Sequence, residues 1–233
     1  MSLQDKLDAL KADFRSGKPP FSAPPEIHPI MERATAELVA SGQASRAVKA
    51  GDRAPQFRLT DQDGNVVSSA ELLTKGPLVV SFYRGVWCPY CNIELQALNE
   101  VLPEIQAFGA NLVAISPQVA ANSRKSVRQN QLNFPVLNDN KNETAAAFGL
   151  RFTLPDFLID LYKKLKNDLP AFNGDPGWTL PMPARYVIGQ DSVVMYSEVN
   201  PDYTHRPDPS EMLPVLQKAA QSRSREPIPA GKR

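Results

Sequence analysis

An α/β fold with a central mixed β-sheet flanked by helices is what this sequence predicts, and three observations predict it. From Gly51 onward, short β-type runs alternate with segments of helical spacing, the pattern of a sheet covered by helices. Two of those runs, Pro77–Tyr83 and Asn111–Ser116, are apolar almost throughout, as buried strands are. Apolar residues make up 42% of the 233, enough to fill the core of one large domain or of one domain with extensions.

Residues 1–48 read as a helical N-terminal extension. Leu3, Leu7, Leu10 and Phe14 recur at helical spacing with charges between them. The Pro-rich stretch from Gly17 to Pro25 ends that helix, and a second, from about Glu26 to Ser41, sets Ile30, Ala34 and Leu38 on one face. Nothing chemical sits here, so the segment reads as a packing or dimerisation arm. The main domain, 49–221, opens with a hairpin: a strand at Gln56–Thr60, a turn through Asp63-Gly64 and a return at Val66–Ser68. A short helix from Ser69, the strand at 78–83 and a helix that Pro103 should kink or divide come next. Then follow a strand at 111–116, a polar helix at 119–131, a strand at 134–137 and a short helix at 143–148 closed by Gly149. A helical insertion at about 152–172 carries Leu154, Phe157, Leu158, Leu161 and Leu165 as one stripe, with Lys163, Lys164 and Lys166 off it. It reads as a cap on the core, with a lid or dimer surface as the sharper alternative. Strands at 185–188 and 193–196 and a helix from Ser210 to about Ala220 complete the domain, and 222–233 reads as a flexible charged tail.

Charge narrows the partners. The chain holds 26 basic against 25 acidic residues and no basic stripe, which argues against nucleic acid. No apolar run approaches membrane-spanning length, and Met1–Lys6 lacks the basic-then-apolar plan of a secretory signal. With no export signal and two cysteines, a reducing cytoplasm is the expected compartment.

Those two cysteines carry the chemistry. They lie in Trp87-Cys88-Pro89-Tyr90-Cys91, directly after the strand at 78–83 and before a helical run, Asn92–Asn99. A Cys-x-x-Cys where a strand turns into a helix reads as a thioredoxin-like dithiol. The attacking species is the thiolate, and the unpaired N–H groups of a helix N-terminus favour that anion. The spacing sets the second sulfur one turn from the first, within reach to resolve a mixed disulfide or a sulfenic acid. Plainer readings compete. A zinc site usually needs four ligands, and the chain adds only His28 and His205, far apart. Buried structural thiols or a structural disulfide closing a tiny loop are the others. No metal and no cofactor are expected.

These residues resemble the peroxiredoxin (AhpC/TSA) family of the thioredoxin-like superfamily, in the branch that carries Phe-Tyr-Arg-Gly-x-Trp-Cys-Pro-x-Cys. The resemblance spans roughly Gly51 to Ala220. It rests on Gly51–Phe57, Ser81–Leu95, Ala114–Ser116, Phe134–Asp139 and Met182–Ile188. It implies a thioredoxin-like fold, reduction of hydrogen peroxide or organic hydroperoxides, and electrons from thioredoxin or another dithiol reductant. The chain also departs from the family pattern Pro-x-x-x-Thr-x-x-Cys. Cys91 aligns with the peroxidatic cysteine, Cys88 with the threonine and Arg84 with the proline. Pro183 stands where the family arginine is expected, the place of a cis-proline in thioredoxins. The two templates disagree on the nucleophile. Exposure at the helix start favours Cys88, with Cys91 resolving, and Arg84 is positioned in sequence to supply the missing cation; a solvent-facing arginine on a loop is its plainer reading. Trp87 and Trp178 are candidates to flank the site. Two further functions stay open: a general thiol-disulfide oxidoreductase, and a non-enzymatic redox-switched interaction protein.

Overall fold

The two apolar runs become adjacent central strands in the computed structural model, which describes residues 1–17 and 24–225. The chain begins with α1 (Leu3–Ser16) and α2 (Ile27–Ala40). Ser2 caps α1, its hydroxyl accepting from the Asp5 N–H while the Asp5 carboxylate accepts from the Ser2 N–H. The hairpin β1 (Arg58–Asp61) and β2 (Val66–Ser68) leads through α3 (Ser69–Lys75) to β3 (Leu78–Phe82). The next helix is divided as expected. It runs as α4 (Pro89–Glu100) and α5 (Leu102–Ala107), with Pro103 in the first turn of α5, where its missing N–H costs nothing. Then come β4 (Asn111–Ser116), α6 (Ala120–Asn130), β5 (Val136–Asn138) and α7 (Glu143–Ala147).

The insertion is more than a helix. It is a two-stranded ribbon, β6 (Arg151–Thr153) and β7 (Thr179–Pro181), carrying α8 (Asp156–Lys164) and α9 (Leu169–Asn173) between its strands. The chain ends with β8 (Ala184–Ile188), β9 (Val194–Val199) and α10 (Leu213–Arg225). The last helix therefore extends through residues 222–225 of the expected tail. Residues 226–233, and 18–23 of the Pro-rich break, lie outside the described residues.

The main sheet has the order β2-β1-β5-β4-β3-β8-β9. Strand β3 pairs in parallel with β4 and antiparallel with β8, so it is interior, and all five of its residues are buried. One face of the sheet packs Val79, Leu112, Ala114 and Val187 against α4, α5 and α10. That cluster contains both cysteines, Leu3 and Leu7 of α1, and Leu216 of α10. The other face packs Leu78, Val80, Phe82, Ile115 and Tyr186 around Phe148. A third cluster joins α2 to the insertion through Ala34, Leu158, Leu161 and Leu180. The two helices of the extension thus divide: α1 lies on the cysteine side and α2 on the insertion. Among the described residues, no helix is long and apolar enough to cross a membrane.

Candidate active site

Strand β3 delivers its C-terminal end to the centre of the molecule, and the chain leaves it through Tyr83, Arg84 and Gly85. Gly85 is required there. Its φ of +147° is one L side chains rarely adopt, and a Cβ would sit 2.6 Å from Trp87 Nε1. The Val86 N–H donates to Gln118 Oε1 at 2.9 Å, pinning the turn. Cys88 then occupies the N-cap position of α4, with Pro89 in the first turn. The sulfur is thereby placed against the positive end of a helix.

The expectation that Cys88 is exposed does not hold. Cys88 is 1% and Cys91 0% accessible, and both thiols are free. The extension and the insertion cover them. Leu10 and Phe14 from α1, Tyr162 of α8, Leu165 and Tyr203 enclose a cavity of about 190 Å³ that Cys88 lines and Cys91 does not. What distinguishes Cys88 is access to this apolar chamber, not to solvent.

Electrostatics separates the sulfurs in the same sense. Burial pushes the Cys88 thiol up, but the Cys91 thiol, the Arg84 guanidinium, the Cys91 backbone N–H and Arg206 outweigh it and bring it down to about 6. Cys91 goes the other way. Burial, donation of its thiol hydrogen to Cys88 and the adjacent negative sulfur raise it well above an ordinary thiol, against the pull of Arg206 and Arg84. These opposed shifts favour the anion on Cys88 and the proton on Cys91.

Arg84 is 4% accessible, which excludes the solvent-facing alternative. Its guanidinium lies 4.0 Å from the Tyr203 ring centroid and 4.9 Å from that of Trp87, and Nη2 donates to the Tyr162 hydroxyl at 2.5 Å. Arg84, Tyr162 and Tyr203 form a partition. On one side is the Cys88 chamber; on the other a second cavity of about 270 Å³, lined also by Leu38, Leu158 and Pro183. Pro183, immediately before β8, lines this second cavity and not the cysteine chamber. Trp87 lines the chamber, edge-on to Tyr162 at 5.8 Å. Trp178 instead packs in the insertion cluster, with Lys163 over its ring at 5.8 Å.

One level deeper is a charge cluster that sequence reasoning missed. Glu94 of α4, 2% accessible, accepts from Arg185 Nη2 at 2.9 Å and from Arg206 Nε at 2.7 Å. Two buried guanidiniums thus share one carboxylate, which leaves the cluster short of negative charge. Glu198 of β9, opposite Arg185 in the sheet register, is pushed up to about 7 by burial and by Glu94, so it meets only part of that shortfall at neutral pH. The Cys88 thiolate is the other anion that Arg206 favours. No sequence signal could have joined Arg206 to Glu94, 112 positions apart. Among the described residues, no group of three or more His, Cys, Asp or Glu side chains is placed to hold a metal ion.

A central sheet delivering a Cys-x-x-Cys to a helix N-terminus, with one thiol shifted toward the anion, defines an oxidoreductase of thioredoxin fold. A family model described as AhpC/TSA matches residues 50–197, and the chain belongs to that family, as a peroxiredoxin-like thiol peroxidase. The thiol-disulfide oxidoreductase ResA of Geobacillus thermodenitrificans is 31% identical over 121 residues, 52% of this chain and 68% of that protein. Peroxiredoxin Bcp of Escherichia coli is 30% identical over 103 residues, 44% and 65% of the two chains. Among solved structures, peroxidoxin BcpB of Mycobacterium tuberculosis superposes with a TM-score of 0.58 at 23% identity, covering 73% of this chain and 97% of its own. A thiol:disulfide interchange protein DsbE from Chlorobium tepidum gives 0.52 at 22%, covering 75% and 99%. These two structures share the fold.

Proposed function

We propose that the peroxidase reaction runs through Cys88 as nucleophile and Cys91 as resolving thiol. The Cys88 thiolate attacks the peroxide and becomes a sulfenic acid. Cys91 condenses with it to a Cys88–Cys91 disulfide and water, and thioredoxin or a similar dithiol returns the pair to the reduced state. The observation that carries this order is that Cys88 lines the chamber and Cys91 does not, and the opposed shifts of the two thiols support it. Arg84 steadies the thiolate from within the chamber, and Pro183 shapes the wall on the far side of Arg84. A reducing compartment such as the cytoplasm suits the cycle.

Stopped-flow fluorescence of Trp87 against hydrogen peroxide and an alkyl hydroperoxide tests the assignment. The reduced protein should oxidise far faster than free cysteine. Cys88→Ser should abolish the reaction, and Cys91→Ser should stop at a sulfenic acid trapped by dimedone. Sulfenic acid found on Cys91 in Cys88→Ser would reverse the order. A thiol-disulfide exchange function is the second reading, favoured by the 31% identity to ResA and by the Cys-x-x-Cys itself. Slow peroxide oxidation with efficient insulin reduction would select it, and slow reaction in both assays would leave a redox-switched interaction protein.

A further inference from the structure

We propose that Tyr162, carried into the site by the insertion helix α8, is a catalytic residue that gives its hydroxyl proton to the oxygen leaving the peroxide. The inference rests on the peroxidase reading above. Cleavage of an O–O bond by a thiolate expels an alkoxide or hydroxide, a strong base that needs a proton in a site from which water is largely excluded. The donors expected from the family pattern are absent here, since Cys88 and Pro183 stand in the threonine and arginine places. Arg84 is charged but is a poor proton source, because guanidinium does not release its protons in this range.

Tyr162 is placed for the task. Its side chain is buried, and the residue lines the same chamber as Cys88. Its hydroxyl oxygen accepts from Arg84 Nη2 at 2.5 Å, which turns its own hydrogen away from Arg84. Among the described residues nothing accepts that hydrogen. The phenol of Tyr203 is already engaged, lying 3.9 Å from the Met31 sulfur. Burial keeps the Tyr162 phenol protonated until it is needed, and Arg84 and the Cys88 sulfur act on it in opposite directions. The step balances. Cys88 S⁻ forms a bond to the terminal OH oxygen and the O–O bond breaks. The departing oxygen takes the electron pair and the Tyr162 proton and leaves as alcohol or water. Sulfur is oxidised to sulfenic acid, the peroxide is reduced, and the tyrosinate, paired with Arg84, recovers its proton from water.

The test compares three electrophiles on the full-length reduced protein: an alkyl hydroperoxide, peracetic acid and iodoacetamide. The last two expel weak bases that need no proton. Tyr162→Phe keeps the ring and its contact with Trp87 but loses the O–H. Its hydroperoxide rate should fall about 100-fold, with less than threefold change for the other two, in the range a positioned acid or hydrogen-bond donor supplies. Tyr186→Phe, removing a buried phenol on the opposite face of the sheet, should change all three rates by less than threefold. Equal slowing of all three rates in Tyr162→Phe, or the same selective loss in Tyr186→Phe, overturns the role of Tyr162. A fast wild type with an unaffected Tyr162→Phe overturns only this inference, whereas a wild type no faster than free cysteine overturns the peroxidase reading as well. Should Tyr162→Phe not fold, the wild type decides: a bound acid makes its rates vary less than tenfold from hydroperoxide to peracid, and a steep dependence refutes it.

Discussion

Arg84 illustrates how a single residue acquires its role from packing. Its charge is legible in the sequence because it lies four positions before Cys88 in one continuous motif, as are both cysteines. Its partners are not, because Tyr162 is 78 positions away and reaches Arg84 only after the insertion folds. Replacing Arg84 by Met keeps length and removes the cation. The Cys88 thiol should then rise from about 6 toward an ordinary thiol value, as read from thiolate absorbance against pH, with slower oxidation at neutral pH. Gly85 is as constrained as Arg84, but by space. Gly85→Ala should cost about 1–3 kcal/mol in urea unfolding, since the methyl must displace the Trp87 indole and the backbone must hold a disfavoured φ.

At the scale of elements, what could be read follows from periodicity. The strands at 78–82 and 111–116 announce themselves by continuous apolar sequence, and α1 by Leu3, Leu7, Leu10 and Phe14. The ribbon β6 and β7 could not be read: Arg-Phe-Thr and Thr-Leu-Pro are too short to show any period, and only their pairing with each other makes them strands. The five-residue α9 escapes for the same reason, although Asp168 caps it by accepting from the Ala171 N–H at 3.2 Å. Side chains that end helices carry measurable stability. Asp139, 1% accessible, accepts from the Thr144 and Ala145 N–H groups, both at 2.8 Å, and so closes the start of α7. Asp139→Ala should cost about 1–3 kcal/mol through two buried donors left without an acceptor, measurable as a lower urea midpoint at unchanged slope.

For the whole molecule, the state of one sulfur is linked to global stability. Cys88 titrates at about 6 in the folded protein against about 8.5 in an unfolded chain. Between those values the unfolded chain binds more protons, so the stability of the reduced protein should rise with pH across that window and be lost as pH falls through 6. Glu198 acts oppositely. It holds its proton to about 7 when folded, against about 4.3 unfolded, so its contribution declines as pH rises between them. The stability difference between the reduced protein and Cys88→Ser cancels Glu198 and should grow from pH 6 to 8.5; a flat difference refutes the thiolate assignment. The same preference for the anion stabilises the reduced form. The Cys88–Cys91 couple should therefore be more oxidising than thioredoxin, at about −270 mV, as measured by equilibration with glutathione.

The seating of Leu3, Leu7 and Leu216 in one cluster with both cysteines also bears on where this protein can be cut. The family match stops at residues 50 and 197, yet Arg206, α1 and α10 lie outside it. A boundary drawn by homology is here not the boundary of the cooperative folding unit. A chain trimmed to 50–197 would open the chamber, strip Glu94 of one of its two guanidiniums and bare the apolar side of α4. It should aggregate on heating, whereas the 233-residue chain should show a single sharp thermal transition.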